Sequence, residues 1–307
     1  MAFLFLYIYK MIIMTRIFKL IVLSSWLLGC KAQTTPLKVN QDDNSLLWEV
    51  TGNGLSKPSY LFGTFHLLCK DDIHFSEQLK KAMQSSDTVY MELKMDDPSV
   101  LLGGLLYMNM KGDTTLKTLY SDVDYKKIES YFNDTLHTPL LLLQKMKPNL
   151  LVALLYPKMM DCSNPASIEE ELLKMAKGYK KEIKGLETVQ FQASVFDSIP
   201  YSVQAKELMN NIDSFPMYKK QFDTMLGLYK KQQLQSLDTL TANDKDTKDY
   251  EDILLNKRNK NWVSQLNEIM KKESVFVAVG AGHLPGKHGL INLLKEKGYT
   301  VKPLKNR

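Results

Sequence analysis

Residues 274–280, SVFVAVG, form an unbroken apolar run with lysine and glutamate before it and glycine after it. A strand that is apolar at every position has to be covered on both faces, the condition of a central strand in a parallel sheet. Parallel neighbours need crossover helices, so this run commits the chain to an α/β fold. The neighbours are legible. LLWEVTG (46–52) and SYLFGTF (59–65) flank a Gly/Asn/Pro-rich turn and predict a hairpin, and TVYMEL (88–93), KEIKGL (181–186) and TVKPL (300–304) supply further strands. The expectation is a central mixed, mostly parallel sheet flanked by helices.

Between the strands the chain reads as helix. EQLKKAMQSS follows the capping residue Ser76, and SIEEELLKMAKGY opens with a capping box, Ser167 with Glu170. Helical patterns over about 98–180 and 200–245 predict a helical insertion or lid in the middle of the chain, within a domain at 46–307. Their Met and Leu stripes read as core packing. DTLTANDKDTKDY (238–250) reads as a solvated surface loop, and YEDILLNKRNKNWVSQLNEIMKK as one long helix.

The N-terminus reads as a targeting segment. From Met14, MTRIFKLIVLSSWLLGC has a basic start, a short apolar stretch and small residues before Cys30, which predicts a signal peptide over 1–29. LLGC (27–30) resembles a bacterial lipobox, in which the cysteine is lipidated; this predicts a lipid-anchored, extracytoplasmic protein of a bacterial cell envelope. Met1 and Met14 both stand as starts, and residues 1–13 leave an uncleaved anchor open. KAQTTPLKVNQDDNS is polar and without period, so residues 30–45 read as a flexible tether. Cys69 and Cys162 either bridge, as an oxidising compartment allows, or stay as two buried thiols. The formal charge is +6, of which Lys10, Arg16 and Lys19 belong to the first 29 residues; the rest is too mildly basic for a nucleic-acid partner.

Chemistry concentrates at strand ends. LFGTFHLL (61–68) and VAVGAGHLPG (277–286) both place a histidine three residues after glycine. His66, Glu92, Glu187 and His283 each follow a predicted strand, and ligands of open α/β sheets bind outside the carboxyl ends of the strands. The four are therefore expected to share one site, with Gly63, Gly280 and Gly282 giving sharp turns and close approach. Two imidazoles and carboxylates form a donor set for Mn, Co or Zn; the metal reading assigns His66, His283 and Glu187 as ligands and leaves Glu92 as a general base. Without a metal, a histidine held by glutamate could itself activate water. On the long helix Leu255, Arg258, Trp262, Leu266 and Ile269 share a stripe, which turns Arg258 and Asn259 inward, Arg258 to orient carboxylates or bind an oxyanion. His288 is expected to support the site from behind. GAGHLPG lacks the context of a dinucleotide loop, and the chain has no Gly-x-Ser-x-Gly elbow, His-Glu-x-x-His or Walker loop.

YLFGTFHLL, VYMEL, GLETVQFQ, LLNKRNKNW and VFVAVGAGHLPGKHGLINLLKEKGY, in that order over about residues 46–304, resemble the TraB/GumN family, relatives of the Tiki proteins. The resemblance implies an α/β fold similar to the erythromycin-esterase and ChaN-like group. It also implies a metal-dependent hydrolase of protease type, with Mn or Co preferred and a peptide or protein substrate. His66, Glu92, Glu187, Arg258 and His283 carry over as site residues. Relatives that bind haem leave a different class open: a lipoprotein that holds haem, metal or a small ligand without turnover.

Overall fold

A computed structural model describes residues 44–242 and 248–306. The stretches read above as a signal peptide, a lipobox at Cys30 and a tether fall, up to residue 43, outside the described residues. Among those described, no helix is long and apolar enough to cross a membrane.

The strands are β1 (Leu47–Gly52), β2 (Ser59–Thr64), β3 (Leu68–Cys69), β4 (Thr88–Met91), β5 (Pro165–Ala166), β6 (Glu182–Gly185), β7 (Val275–Gly280) and β8 (Tyr299–Pro303). Six make one sheet in the order β6-β4-β7-β2-β1-β8. β6, β4, β7 and β2 run parallel, and β1 is antiparallel to both β2 and β8. The expected mixed, mostly parallel sheet is thus present, with the apolar run of β7 at its centre. β2 and β4 are buried along their whole length and β7 up to Gly280. The β1–β2 hairpin turns through Gly52, Asn53 and Gly54, all at positive φ.

The helices, in chain order, begin with α1 (Glu77–Ser85), α2 (Pro98–Tyr107), α3 (Leu116–Leu119), α4 (Asp122–Ser130), α5 (Pro148–Ala153) and α6 (Tyr156–Met159). They continue with α7 (Ile168–Gly178), α8 (Val189–Asp197), α9 (Tyr201–Asp213), α10 (Phe215–Lys230), α11 (Leu234–Ala242), α12 (Lys257–Ile269) and α13 (Leu290–Glu296). Three expectations need correction. The apolar stretch before residue 160 is cut into short pieces, because Pro148 and Pro157 start new helices where an interior proline would lose a hydrogen bond and clash. The surface loop predicted over 238–250 is helical to Ala242, since Leu234 and Leu237 bury the inner face of α11. Ahead of α12 the chain makes a π-helical turn, Asp252–Asn256, so the long helix is two joined segments.

Two apolar cores result. One is built on the sheet, with Trp48, Leu61, Phe276 and Val277 fully covered; the other lies among the helices, around Leu116, Phe132, Leu151 and Leu208. Each such side chain contributes about 1.5–3 kcal/mol on burial. Phe65 and Leu226 pack against both, so the two cores meet just beyond the carboxyl end of β2. Cys69 and Cys162 are bridged, with Cα atoms 5.9 Å apart. The bridge sits beside the short β3–β5 ladder and pins the helical region to the sheet.

Candidate functional site

Four neighbouring strands release their chains at one edge of the sheet, and each release point carries a polar side chain. Backbone bonds run past the strand ends, Leu186 N to Met91 O and Glu187 N to Glu92 O, each 2.9 Å, so the two glutamates start from adjacent positions. Gly280, the last residue of β7, donates its N–H to Glu92 Oε1 at 2.9 Å. A side chain on Gly280 would come within 3.4 Å of that oxygen, and at Gly63 a Cβ would lie 3.0–3.1 Å from Leu284 and Ala281; both glycines allow close approach.

Arg258 reaches into this row from α12. Its Nε and Nη2 donate to Glu187 (2.9, 3.2 and 2.9 Å), and Nη2 also donates to Glu92 Oε2 at 2.8 Å. Nη1 donates to Leu254 O in the π turn and lies 3.1 Å from His283 Nε2. The guanidinium is covered from behind by Trp262, 4.8 Å to the ring centroid. The Glu187 side chain is 0% exposed. Burial raises its carboxyl above the ordinary value against the pull of Arg258. Glu92 is also resisted by burial, yet Arg258 holds it well below the usual carboxylate range.

The state of His283 follows from its neighbours. Asn259 donates Nδ2–H to the carbonyl of His288 at 2.9 Å, which turns its Oδ1 toward His283 Nδ1, 2.6 Å away. Nδ1 therefore carries the proton, and Nε2 presents a lone pair to the Arg258 N–H. Burial and the nearby guanidinium depress its pKa to about 3, so the ring stays neutral.

His66 is arranged in the same way by different residues. Its Nδ1 lies 2.7 Å from Glu169 Oε1, while Thr64 Oγ1 and Ser167 Oγ donate to the same carboxylate at 2.8 and 2.7 Å. Burial opposes ionisation of Glu169, but these contacts hold its pKa at about 2. Crowding around the His66 ring opposes its charged form, Glu169 favours it, and the balance is a raised pKa. The ring remains 46% exposed, toward a cavity.

That cavity measures about 360 Å³ and is walled in part by His66, Glu92, Gln192, Arg258 and His283. Gln192 donates to Glu92 Oε2 at 3.0 Å. Asn149 also lines it, with an Oδ1 that is buried and has no hydrogen-bond partner. The structure thus brings together His66, Glu92, Arg258 and His283 at one cavity. It places Glu187 and Asn259 behind them, and His288 contributes only its backbone carbonyl.

Glu169, Gln192 and Asn149 were not expected from the sequence. For Glu169 a signal existed: with Leu172, Leu173 and Ala176 it falls on the buried stripe of α7, an odd place for a carboxylate without a partner.

The donor chemistry suits a divalent transition metal. Two imidazoles each have Nδ1 bonded to an oxygen, the usual support for a histidine that ligates through Nε2, and Glu92 adds a carboxylate. Among the described residues no group of three or more His, Cys, Asp or Glu side chains stands ready-gathered around one point. Arg258 lies among the donors, so an ion there displaces its contacts with Glu92 and His283.

Residues 46–303 match the model of the TraB/PrgY/gumN family. The chain is similar to a "Metalloprotease TIKI homolog" of Amphimedon queenslandica, 23% identical over 92% of this chain and 66% of that protein. It is also similar to the Danio rerio proteins "Metalloprotease TIKI1" (22% identical; 89% and 65% covered) and "Metalloprotease TIKI2" (22%; 85% and 61%). The chain spans less than two thirds of the length of these relatives. No solved structure matches it.

Proposed function

The chain belongs to the TraB/PrgY/gumN family, and from that premise we propose that it is a metal-dependent hydrolase of metalloprotease type, cleaving a peptide or protein outside the cytoplasm. One observation carries the reading: His66 and His283 both have Nδ1 occupied by an oxygen partner and both line the cavity that holds ionised Glu92. The relatives named as metalloproteases support it.

His66, His283 and Glu92 would hold the cation, with Mn, Co and Zn as candidates. Such an ion acidifies a bound water and polarises a carbonyl. Glu92, far below its ordinary pKa, is a weak proton acceptor and a strong anionic ligand, which favours holding a cation over proton transfer. Glu187 keeps Arg258 fixed from behind. The LLGC lipobox and the Cys69–Cys162 bridge support a lipid-anchored protein in an oxidising, extracytoplasmic compartment of a bacterial envelope.

The test is metal content by mass spectrometry after reconstitution with Mn, Co and Zn, together with a peptide-hydrolysis screen, for the wild type, His66→Ala and His283→Ala. About one ion per chain, lost with hydrolysis in both variants, is expected from a shared first shell. No ion under any of the three metals refutes the metal-dependent reading. A Soret band on adding haem, with no hydrolysis, would move the protein to the binding class.

A further inference from the structure

Beyond β2 the chain runs Thr64-Phe65-His66-Leu67, polar and apolar in alternation. Successive side chains of an extended segment point to opposite sides. The contacts follow that rule: Thr64 and His66 both bond Glu169 Oε1, whereas Phe65 turns to α10, its ring centroid 6.0 Å from Phe222 and 5.1 Å from Tyr229.

On the Phe65 side lies a second cavity, about 250 Å³. Its walls include Phe65, Leu67, Phe222, Met225, Leu237 and Ala281, and apart from His66 no residue lining it is titratable at neutral pH. It shares His66, Tyr156, Gly280 and Gly282 with the first cavity. A Cβ on Gly282 would meet nothing within 4 Å, so the space beside it is open. His66 therefore stands where the cavity that carries Glu92, Arg258 and His283 meets a lobe without them. An apolar hollow of this kind is a cost to folding and gains when an apolar group fills it. Its volume is below the roughly 300–1,000 Å³ of whole small-molecule sites, which fits part of a larger ligand.

We propose that this lobe receives one large apolar side chain, aromatic or branched aliphatic, of the substrate peptide, adjacent to the bond presented to His66. The word substrate rests on the hydrolase reading; the chemistry of the occupant rests on the lobe alone. Thr241, half-buried on the last turn of α11, lines the lobe, and among the described residues its hydroxyl bonds only the backbone carbonyls of Leu237 and Asp238. Thr241→Trp fills the lobe without stranding a partner side chain, and Met225→Ala enlarges it from α10.

The experiment uses the full chain and peptides that differ at one position, scanned through Gly, Lys, Leu, Phe and Trp, with kcat/KM read by mass spectrometry. N-acetyl-phenylalaninamide and N-acetylglycinamide binding is followed by NMR in parallel. At one position Phe or Leu should exceed Gly and Lys by about 10–200-fold; Thr241→Trp should cut that ratio at least ~10-fold, and Met225→Ala should shift the optimum toward Trp. Cleavage without an apolar preference, or with one that neither variant alters, overturns the proposal and leaves the hydrolase reading intact. If no peptide is cleaved, that reading fails and binding decides. Phe-amide binding that Thr241→Trp abolishes upholds the lobe, and no binding to the wild type overturns it.

Discussion

Replacing Arg258 with methionine removes the only cation that contacts Glu187 among the described residues, and the Glu187 side chain is 0% exposed. Methionine keeps much of the volume against Trp262, so the loss is mainly electrostatic. Breaking a buried pair by deleting one partner costs about 3–5 kcal/mol, because the other charge stays buried and uncompensated. Against a total stability of roughly 5–15 kcal/mol the variant still folds. At about 2–4 °C per kcal/mol, its Tm falls by roughly 6–20 °C. The pH dependence identifies the cause. Burial already raises Glu187 above its ordinary value, and without Arg258 it rises further. The folded state then holds a proton that the unfolded state releases above the ordinary carboxylate range. The unfolded state binds fewer protons, so stability falls as pH rises, by up to about 1.4 kcal/mol per unit, until pH passes the new folded value. Arg258→Met should therefore be more stable at pH 5.5 than at pH 8 relative to wild type, and adding Glu187→Gln should reduce the difference, the remainder belonging to Glu92, which loses the same cation. Denaturant unfolding of the wild type, the two single variants and the double variant across pH measures this. Loss of under ~1 kcal/mol with a pH profile parallel to wild type would refute the buried-pair argument.

Three further outcomes test other joints of the fold. Cys162→Ser opens a bridge between residues 93 apart in sequence and should cost about 2–4 kcal/mol in denaturant unfolding under oxidising conditions; less than ~1 kcal/mol would mean the helical region is held without it. Asn259→Ala leaves His283 Nδ1–H buried without its acceptor and should cost about 1–3 kcal/mol in denaturant unfolding, with the tautomer kept by the Arg258 donor at Nε2; a loss under ~0.5 kcal/mol would discard the Asn259 contact as a buried hydrogen bond. Gly185→Ala puts a Cβ 2.6 Å from the backbone nitrogen of Lys94 and should destabilise by about 1–3 kcal/mol in thermal unfolding; a neutral result would show that the chain leaving β4 gives way freely.

The sheet was legible because its signals are local. β7 is apolar at every position, and glycine or a polar residue marks each strand end, so the row of His66, Glu92, Glu187 and His283 could be placed before any contact was known. The stripe on α12 likewise placed Arg258 and Asn259 inside. What escaped was tertiary. β3 and β5 are two residues each, too short for an alternation to register, and they exist because the Cys69–Cys162 bridge and the facing chain hold them together. Glu169 was hidden by the capping pattern around it, since Ser167 caps α7 and also donates to Glu169. Gln192 looks like any glutamine on an amphipathic helix until β4 brings Glu92 against it.

The charges at the cavity lead to a last prediction. Glu92, Glu169 and Glu187 are three mostly buried carboxylates, and His283 is neutral, so Arg258 alone cannot balance them. His66 makes up part of the deficit when protonated, and its raised pKa is the sign of that demand. A divalent ion at His66, His283 and Glu92 meets the same demand more fully, and ligation requires His66 Nε2 without its proton. Ion uptake near the His66 pKa should thus release up to about one proton per ion, fewer as pH rises and the ring is already neutral. Titration calorimetry of Mn or Zn into the metal-free protein, in buffers of different ionisation enthalpy, measures that number. His66→Gln removes the titrating ligand, so any ion it still binds should release less. Binding by the wild type with no buffer dependence at pH 6 would mean that the ion sits away from His66, and the carboxylates would then have to be balanced by Arg258 and a permanently charged His66.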